Sequence, residues 1–476
     1  MDQLRTLSGK PYNDHAEMYT AGPSGPSRMD DTTYFEKIAH FNRENVPSRI
    51  VHAKGAGAYG EFVVTQDITK YTCADFLSTI GKKTRVFARF STVGGEPGSA
   101  DAERDPRGFA IKFYTEEGNY DMTGNNIPTF FIRSAKLFPD FIHTQKRDPV
   151  TNCVNPTNQW DFFSLRTESI HQVIQLFSDR GIPADFRHMH GFGSHTFSFI
   201  NKDNELTWVK FHWVCNQGIK NLTAEEAEVI KGKNPDHATQ DLREAIDRGD
   251  YPSWTLKVQL MTPEQARSAK LDPFDLTKVW PHSDFPLHEV GVMTLNENPT
   301  NFFNDVEQAA FNPANFVPGI SGSFDKVLQG RLFAYGDAAR YRLGVNHESL
   351  PVNCPFHRPV GTTQRGMMNM GNKESHAPNY YPNSVSKMGA KENLANTFRD
   401  CIEEWTIVYE EDDYSQARAL YQKVMKDDER KRTQKNIANS MKGIHGPMKE
   451  EITERMLKVF ANVDPELSEG IKKLLQ

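Results

Sequence analysis

A chain of 476 residues with 37% hydrophobic and 25% charged content can bury a large core and has length for two to three domains, which excludes a disordered polymer. A formal net charge of −6 gives no basic footprint, which argues against nucleic acid or an anionic membrane as partner. No apolar run approaches a membrane span and Met1-Asp2-Gln3-Leu4-Arg5 is no secretory h-region, so the expected location is the cytoplasm.

In chain order, the beginning reads as an arm. It is polar and turn-rich, with Gly22-Pro23-Ser24-Gly25-Pro26-Ser27, and a helix pattern appears at Thr32 to Asn42. Such an arm is ordered only where it lies on something else, another subunit included. Short strand-like runs then recur: Arg49–Lys54, Glu61–Thr65, Arg85–Ser91, Phe109–Tyr114, Thr129–Arg133, Thr196–Ile200, Thr207–His212, Thr255–Met261 and Glu289–Leu295. So many short strands predict an antiparallel barrel or sandwich. Helices interrupt it at Asp161–Ser178 and, as a polar pair, at Thr223–Lys231 and His237–Arg248. After residue 295, Asn, Pro and Gly crowd together, as in Asn296-Glu297-Asn298-Pro299 and Asn353-Cys354-Pro355-Phe356-His357. A connection this long without periodic segments predicts wrapping over other parts or other subunits. The end is helical, with Ser415 as N-cap ahead of Leu420 and Val424, and with Ile452, Met456, Val459, Phe460 and Val463 at helical spacing. Cys73, Cys153, Cys215, Cys354 and Cys401 are scattered without C-x-x-C spacing and read as free thiols, and Leu474-Leu475-Gln476 is no peroxisomal address.

Two stretches carry chemistry. The first is Phe41 to Gly60, FNRENVPSRIVHAKGAGAYG. Arg49-Ile50-Val51-His52 reads as a short buried strand carrying an imidazole inward, and a buried neutral imidazole accepts and returns a proton near pH 7. Gly55-Ala56-Gly57-Ala58-Tyr59-Gly60 keeps side chains small, so that backbone or a flat ligand can come close. The run spells G-x-G-x-x-G. A strand-like segment follows where the dinucleotide fingerprint needs a helix N-terminus, so a nicotinamide dehydrogenase built on it is disfavoured. His188-Met189-His190 with His195 could put imidazoles together as zinc sites do, but no cysteine or carboxylate completes the set and ordinary packing is expected.

The second stretch is Asp325 to Gly344, DKVLQGRLFAYGDAARYRLG. If a helix runs from Arg331 onward, Arg331, Tyr335, Ala338 and Arg342 share one face. A guanidinium within a few ångströms stabilises phenolate over phenol, and phenolate is a hard anionic ligand suited to ferric iron.

Together these stretches are recognisable. FNRENVPSRIVHAKGAGAYG resembles the distal signature of the monofunctional haem catalases, and RLFAYGDAARYRLG resembles their proximal haem-ligand signature. The likeness extends over ARFSTVGGEPGSADAERDPRGFAIKFYTEEGNYD, GNNIPTFFIR, HMHGFGSHTF and VWPH, and the size is similar to the small-subunit branch. This resemblance implies an α+β fold: an N-terminal arm (1–48), an antiparallel eight-stranded β-barrel haem domain with helical insertions (49–295), a wrapping segment carrying the proximal helix (296–412) and a C-terminal all-α domain (413–476). It implies haem-dependent dismutation of hydrogen peroxide to water and dioxygen through a haem oxidised by two electrons, with haem b as cofactor, in a homotetramer interlocked by arm and wrapping segment.

On matching positions the resemblance makes His52 the distal acid/base, Asn125 the group orienting peroxide, Ser91 the partner of the histidine and Tyr335 the axial ligand, tyrosine being the ligand in that family. Arg331 would hold Tyr335 as phenolate, in a network with His195 and Asp325. Arg49, Arg89 and Arg342 would pair with the haem propionates, where a bidentate guanidinium suits a carboxylate. Val93, Asp105, Phe130 and Phe138 would line a peroxide route too narrow for larger reductants. For the NADPH site that some relatives carry, His171, Ser178, Arg180, Val279, Trp280 and His282 match, whereas His190 stands where Asp is common and Val214 where Lys is common. Ser48 replaces a usual acidic residue, and Ala338-Ala339 a usual Thr-His. Strict strand alternation would put Arg49 and His52 on opposite faces, so the chain must bulge there or Arg49 must reach the haem edge from before the strand. A haem carrier without turnover is the rival reading, and the joint presence of His52 and Asn125 counts against it.

Overall fold

A computed structural model describes residues 3–12, 16–357, 363–370, 378–385, 389 and 406–476. Parts of the expected arm and of the wrapping segment, Cys401 among them, lie outside the described residues. Cys153, Cys215 and Cys354 are free thiols.

Alternating apolar side chains draw ten strands into one antiparallel sheet: β1 (Gly55–Val64), β2 (Lys83–Thr92), β3 (Arg107–Thr115), β4 (Gly118–Asn125), β5 (Gly191–Phe192), β6 (Phe197–Ile200), β7 (Leu206–Cys215), β8 (Ser253–Met261), β9 (His288–Glu297) and β10 (Ile320–Ser321). The hydrogen-bonded ring runs β1-β2-β3-β4-β5-β7-β8-β9 and back to β1, which closes the expected eight-stranded barrel, with β6 and β10 continuing outside it. Ala56, Ala58 and Phe62 of β1 face inward with Val86, Phe90, Ile111, Phe113, Trp213, Trp254 and Met293. Phe62 meets Phe113 and Trp213 edge-on at 5.6 and 5.9 Å, and each such buried side chain is worth roughly 1.5–3 kcal/mol.

The same alternation sends the opposite set outward in two cross-strand rows. One row is Gly55, Ser91, Gly108 and Asn125, and the next is Gly57, Arg89, Ala110 and Thr123. Beside these rows Phe87 and Tyr114 pack under Val306, Ala309, Phe311 and Val352, so part of the wrapping segment lies against the barrel's outer face.

The helices are α1 (Thr32–Phe41), α2 (Phe138–Gln145), α3 (Pro156–Leu165), α4 (Ile170–Phe177), α5 (Ala224–Lys233), α6 (His237–Asp247), α7 (Pro263–Arg267), α8 (Lys326–Leu343), α9 (Ser415–Ala419), α10 (Asp427–Met441), α11 (Lys449–Val463) and α12 (Pro465–Leu475). The C-terminal helices share one apolar cluster with α2 to α4, where Trp160 sits 6.3 Å from Phe460 and donates to Ser440 Oγ at 3.1 Å. No helix among the described residues is long and apolar enough to cross a membrane.

Several expected elements differ. Arg49–Lys54 is irregular, because His52 takes φ +66 and its amide bonds the Val93 carbonyl, which no ladder geometry allows. Thr129–Arg133 is also irregular: it follows Pro128, and its apolar run packs into the helical cluster instead of a sheet. The helix expected over Asp161–Ser178 breaks at Arg166 into α3 and α4, joined by a 3-10 turn at Thr167–Ser169. α8 begins five residues before Arg331, since the Asp325 carboxylate caps it through Val327 N and Leu328 N. Ser415 is the first residue of α9 and not its cap; Asp412 accepts from the Tyr414 and Ser415 amides.

Candidate active site

The two outward rows form one wall of a cavity of about 340 Å³, completed by the 49–52 loop, Phe130, Phe138, residues 309–311 and α8. His52 and Tyr335 both line it, as do Asn125, Ser91, Val93, Arg49, Arg89, Arg331, Arg342 and His195.

On one side, the His52 carbonyl accepts from Arg89 Nη1 (2.8 Å), its amide donates to Val93 O (3.0 Å) and its Nδ1 is 2.9 Å from Ser91 Oγ. A left-handed histidine costs about 1–2 kcal/mol and persists because these contacts over-determine it. Gly108 is required beneath it: a Cβ there would collide with Ser91 Oγ and come within 2.6 Å of His52 Nδ1. Burial first, then the charges of Arg89, Arg331 and Arg49, push His52 down to about 3, which leaves a neutral imidazole with a free lone pair at neutral pH. The loop also settles how Arg49 and His52 reach one cavity, since irregular backbone is not bound to strand alternation.

Burial likewise lowers His212 to about 3 and His171 and His190 to about 4. Unfolded histidines protonate near pH 6.5. These four native imidazoles therefore oppose protonation throughout the interval from 6.5 down to 4, and stability falls with pH there. Asp105, pushed up to about 6 by burial, acts in the opposite sense below pH 6. With a net difference of roughly three protons, these groups are expected to cost about 4 kcal/mol per pH unit near pH 5. A melting temperature that stays flat from pH 6.5 to 4.5 would contradict their burial as neutral groups.

On the other side, Arg331 Nη2 donates to the Tyr335 oxygen at 2.6 Å, and the guanidinium lies 4.8 Å from the ring centre. Three further donors go to Thr123 O (3.1 Å), Thr123 Oγ1 (3.0 Å) and His195 Nε2 (2.7 Å). A guanidinium has no acceptor, so His195 Nε2 carries the lone pair and Nδ1–H donates to Asp325 Oδ2 at 2.6 Å. Asp325 Oδ1 meanwhile caps α8 at 2.9 and 3.0 Å. One carboxylate thus starts the helix and sets the tautomer that aims Arg331.

At a third edge, Arg49 donates to the carbonyls of Val306, Glu307 and Ala309, and Arg342 to Pro47 O and to Glu307 Oε1 at 2.9 Å. Arg89 Nε is buried without a partner. Burial lowers all three guanidiniums, Arg89 to about 10, and repulsion from its neighbours adds to the effect at Arg49 and Arg89. Three cations face one carboxylate, Glu307, in contact with two of them.

Of the expected peroxide-route residues, Val93, Phe130 and Phe138 line the cavity, with the two rings stacked at 6.3 Å. Asp105 is not on the wall. Its carboxylate accepts from Val93 N (2.6 Å) and Gly94 N (2.7 Å), and so holds the turn that presents Val93. The expected NADPH set lies off the cavity: His171 Nδ1 is 3.3 Å from Thr277 O, Ser178 Oγ donates to Gln175 O, and Val279 N and O are both taken by the Gln416 amide. Trp280 donates to Pro273 O, His282 stands 5.7 Å from His212, and Arg180 adds to the burial that holds His190 neutral. The histidines His188, His190 and His195 part company, as ordinary packing predicts: His188 pairs with Asp185, His190 accepts from Cys215 N, and His195 belongs to the Arg331 chain. Ser48 is exposed, whereas Ala338 and Ala339 line the cavity.

Thr123, Gly108 and Glu307 were not singled out from sequence. Thr123 was within reach, being two residues before Asn125 on one strand and hence on its face. Gly108 and Glu307 have no local signal, since their partners are distant in the chain.

A sequence profile described as Catalase matches residues 5–387, and one described as Catalase-related immune-responsive matches 409–475. The chain belongs to the catalase family. Catalase A of Pseudomonas putida is 53% identical over 477 residues, covering 99% of this chain and 98% of that protein. The catalase of Methanosarcina barkeri is 51% identical over 485 residues, covering 99% and 94%. The structure of catalase A from Saccharomyces cerevisiae superposes with a TM-score of 0.93 at 44% identity, covering 100% and 99%. As a catalase, the chain dismutates hydrogen peroxide to water and dioxygen, with the family's haem as cofactor. Its own residues fit such a group. The cavity offers a phenol oxygen already bonded to a guanidinium, and an edge with two positive charges in excess and an orphaned Arg89 Nε, which suits two carboxylates.

Proposed function

We propose that the catalase reaction runs in this cavity with His52 as proton carrier and Asn125 as orienting amide, and that the Tyr335 oxygen would hold the iron of a haem b. One observation carries the reading: a neutral imidazole and an Arg331-bound phenol line the same cavity. When bound, the haem supplies the two-electron redox chemistry that peroxide disproportionation needs. With Nδ1 engaged by Ser91 Oγ, His52 Nε2 is the nitrogen left to take a proton from one peroxide oxygen and return it to the other. Arg331 gives the Tyr335 oxygen a charged hydrogen-bond donor, and His195 and Asp325 keep Arg331 aimed at it. Arg49, Arg89 and Arg342 would hold the propionates, against a background charge set by Glu307. Val93, Phe130 and Phe138 narrow the approach, and Asp105 holds the turn beside it.

The functional units are the arm (1–48), the barrel (49–295), the wrapping segment (296–412) and the C-terminal helices (413–476), in a small-subunit, cytoplasmic homotetramer. In support, Met29 is 84% exposed on the arm, and Phe333 and Tyr341 are 74% and 78% exposed on α8, apolar area that a subunit interface would cover. For NADPH, Arg180 supplies a cation, while neutral His190 and Val214 supply none, so a phosphate here has fewer charged partners than the relatives' pattern provides.

An absorption spectrum and an oxygen electrode test the reading together. The purified protein is expected to show a Soret band and to release oxygen on adding hydrogen peroxide. A colourless protein, after expression with ample haem supply, ends it; a Soret band without oxygen release leaves a haem carrier.

A further inference from the structure

Lys210 on β7 is 6% exposed, and among the described residues it forms no ion pair. Burying a lysine this way is costly, and burial pushes its ammonium down to about 8. Its Nζ donates at 2.9 Å to the carbonyl of Ser194 and lies 5.6 Å from the Trp280 ring centre. Ser194 is itself unusual. It takes φ +62, and the His195 amide reaches back to Gly193 O at 2.7 Å, so Gly193-Ser194-His195 is a three-residue γ-turn of the positive-φ, strained kind. Gly193 N bonds Phe211 O, next along β7 from Lys210, and Ser194 Oγ makes only a long 3.4 Å contact with Ile127 O. The residue leaving this turn is His195, whose Nε2 accepts from Arg331. Strained backbone of this sort persists where its surroundings over-determine it, and the ammonium is the charged donor aimed at the turn.

We infer that Lys210 is a positioning residue: by gripping the Ser194 carbonyl it keeps the strained turn closed, and so keeps His195 Nε2 where Arg331 needs it to hold the Tyr335 oxygen. The inference rests on Tyr335 being the haem ligand. Asp325 belongs to the same assembly from the other side, fixing the His195 tautomer and adding a negative field at Lys210.

Lys210→Met keeps the length and apolar stem but removes the donor. Purified with haem, it is expected to show a displaced Soret band and to lose haem to excess apomyoglobin roughly tenfold or more faster than wild type, the scale of lost outer-sphere contacts. Ser194→Gly, which tolerates positive φ, is expected to behave as wild type, and the Lys210→Met/Ser194→Gly double variant to lose haem more slowly than Lys210→Met alone. A wild-type spectrum and release rate in Lys210→Met, or a double variant no slower than the single, overturns the inference. If Lys210→Met does not fold, the double variant decides: a folded, haem-loaded double supports the strain argument, and an unfolded one beside folded Ser194→Gly overturns it. Haem retained unchanged in Tyr335→Phe would instead remove the ligand reading itself.

Discussion

Haem-loaded protein carrying His52→Ala is expected to keep its Soret band and to release oxygen from hydrogen peroxide about 10²–10⁴ times more slowly than wild type, the range for a positioned proton carrier. That range corresponds to roughly 3–5.5 kcal/mol of barrier. Haem is retained because its expected holds, Tyr335 and the three edge guanidiniums, lie elsewhere on the cavity wall. Asn125 and Ser91 remain after the substitution but neither can shuttle a proton near neutral pH, so nothing left on that wall substitutes for the imidazole. Backbone disturbance is the competing explanation, since alanine must adopt φ +66 and Ser91 Oγ loses a partner. His52→Asn removes that ambiguity. Asparagine enters the left-handed region readily and keeps a polar tip near Ser91, yet has no titratable nitrogen. Both variants should be equally slow; an asparagine variant with wild-type oxygen release would take the proton-carrier role away from His52.

Much of the sheet was legible because strand composition is a local property: runs inside β2, β3, β7, β8 and β9 were expected as strands, and so was the second half of β1, whereas its Gly55–Gly60 half read as a glycine run and closure into an eight-stranded barrel came from the resemblance. The helix face of Arg331, Tyr335 and Arg342 was legible for the same reason, through a period near 3.6. Local pattern failed where local composition and tertiary demand disagreed. Arg49-Ile50-Val51-His52 has strand composition, but the site needs His52 turned against Ser91, and that requires a left-handed residue no strand contains. Phe130-Phe131-Ile132 reads as a strand although its partners are helices. Asp325 was assigned to the phenolate network, yet its second duty as helix cap, which moves the start of α8, emerges only when both oxygens are counted. Gly108, Glu307 and Lys210 depend on ladder register or on contacts between residues far apart in the chain, and no window of sequence contains both partners. The roles of the site residues came from the resemblance, whereas their mutual geometry came from the fold.

Tyr335→Phe is expected to fold and to lose haem. The substitution deletes one oxygen and leaves the ring volume, so α8 keeps its packing and its Asp325 cap. Arg331 loses its 2.6 Å acceptor but retains Thr123 O, Thr123 Oγ1 and His195 Nε2, so its charge is not stranded. The cost to the apoprotein should stay near 1.5–3 kcal/mol, the worth of one hydrogen bond to a charged group. The cost to haem affinity should be far larger. Outer-sphere partners of a metal ligand are worth 10–100-fold, so losing the ligand itself should weaken binding by more than about 100-fold. The remaining hold would be the propionate contacts of Arg49, Arg89 and Arg342, together with burial of the porphyrin faces. Circular dichroism matching wild type, with haem content well below stoichiometric, is the expected pair of results. Native-like dichroism with full haem content and an unchanged Soret band would mean that some other atom holds the iron, and would leave the Arg331–Tyr335 contact as packing.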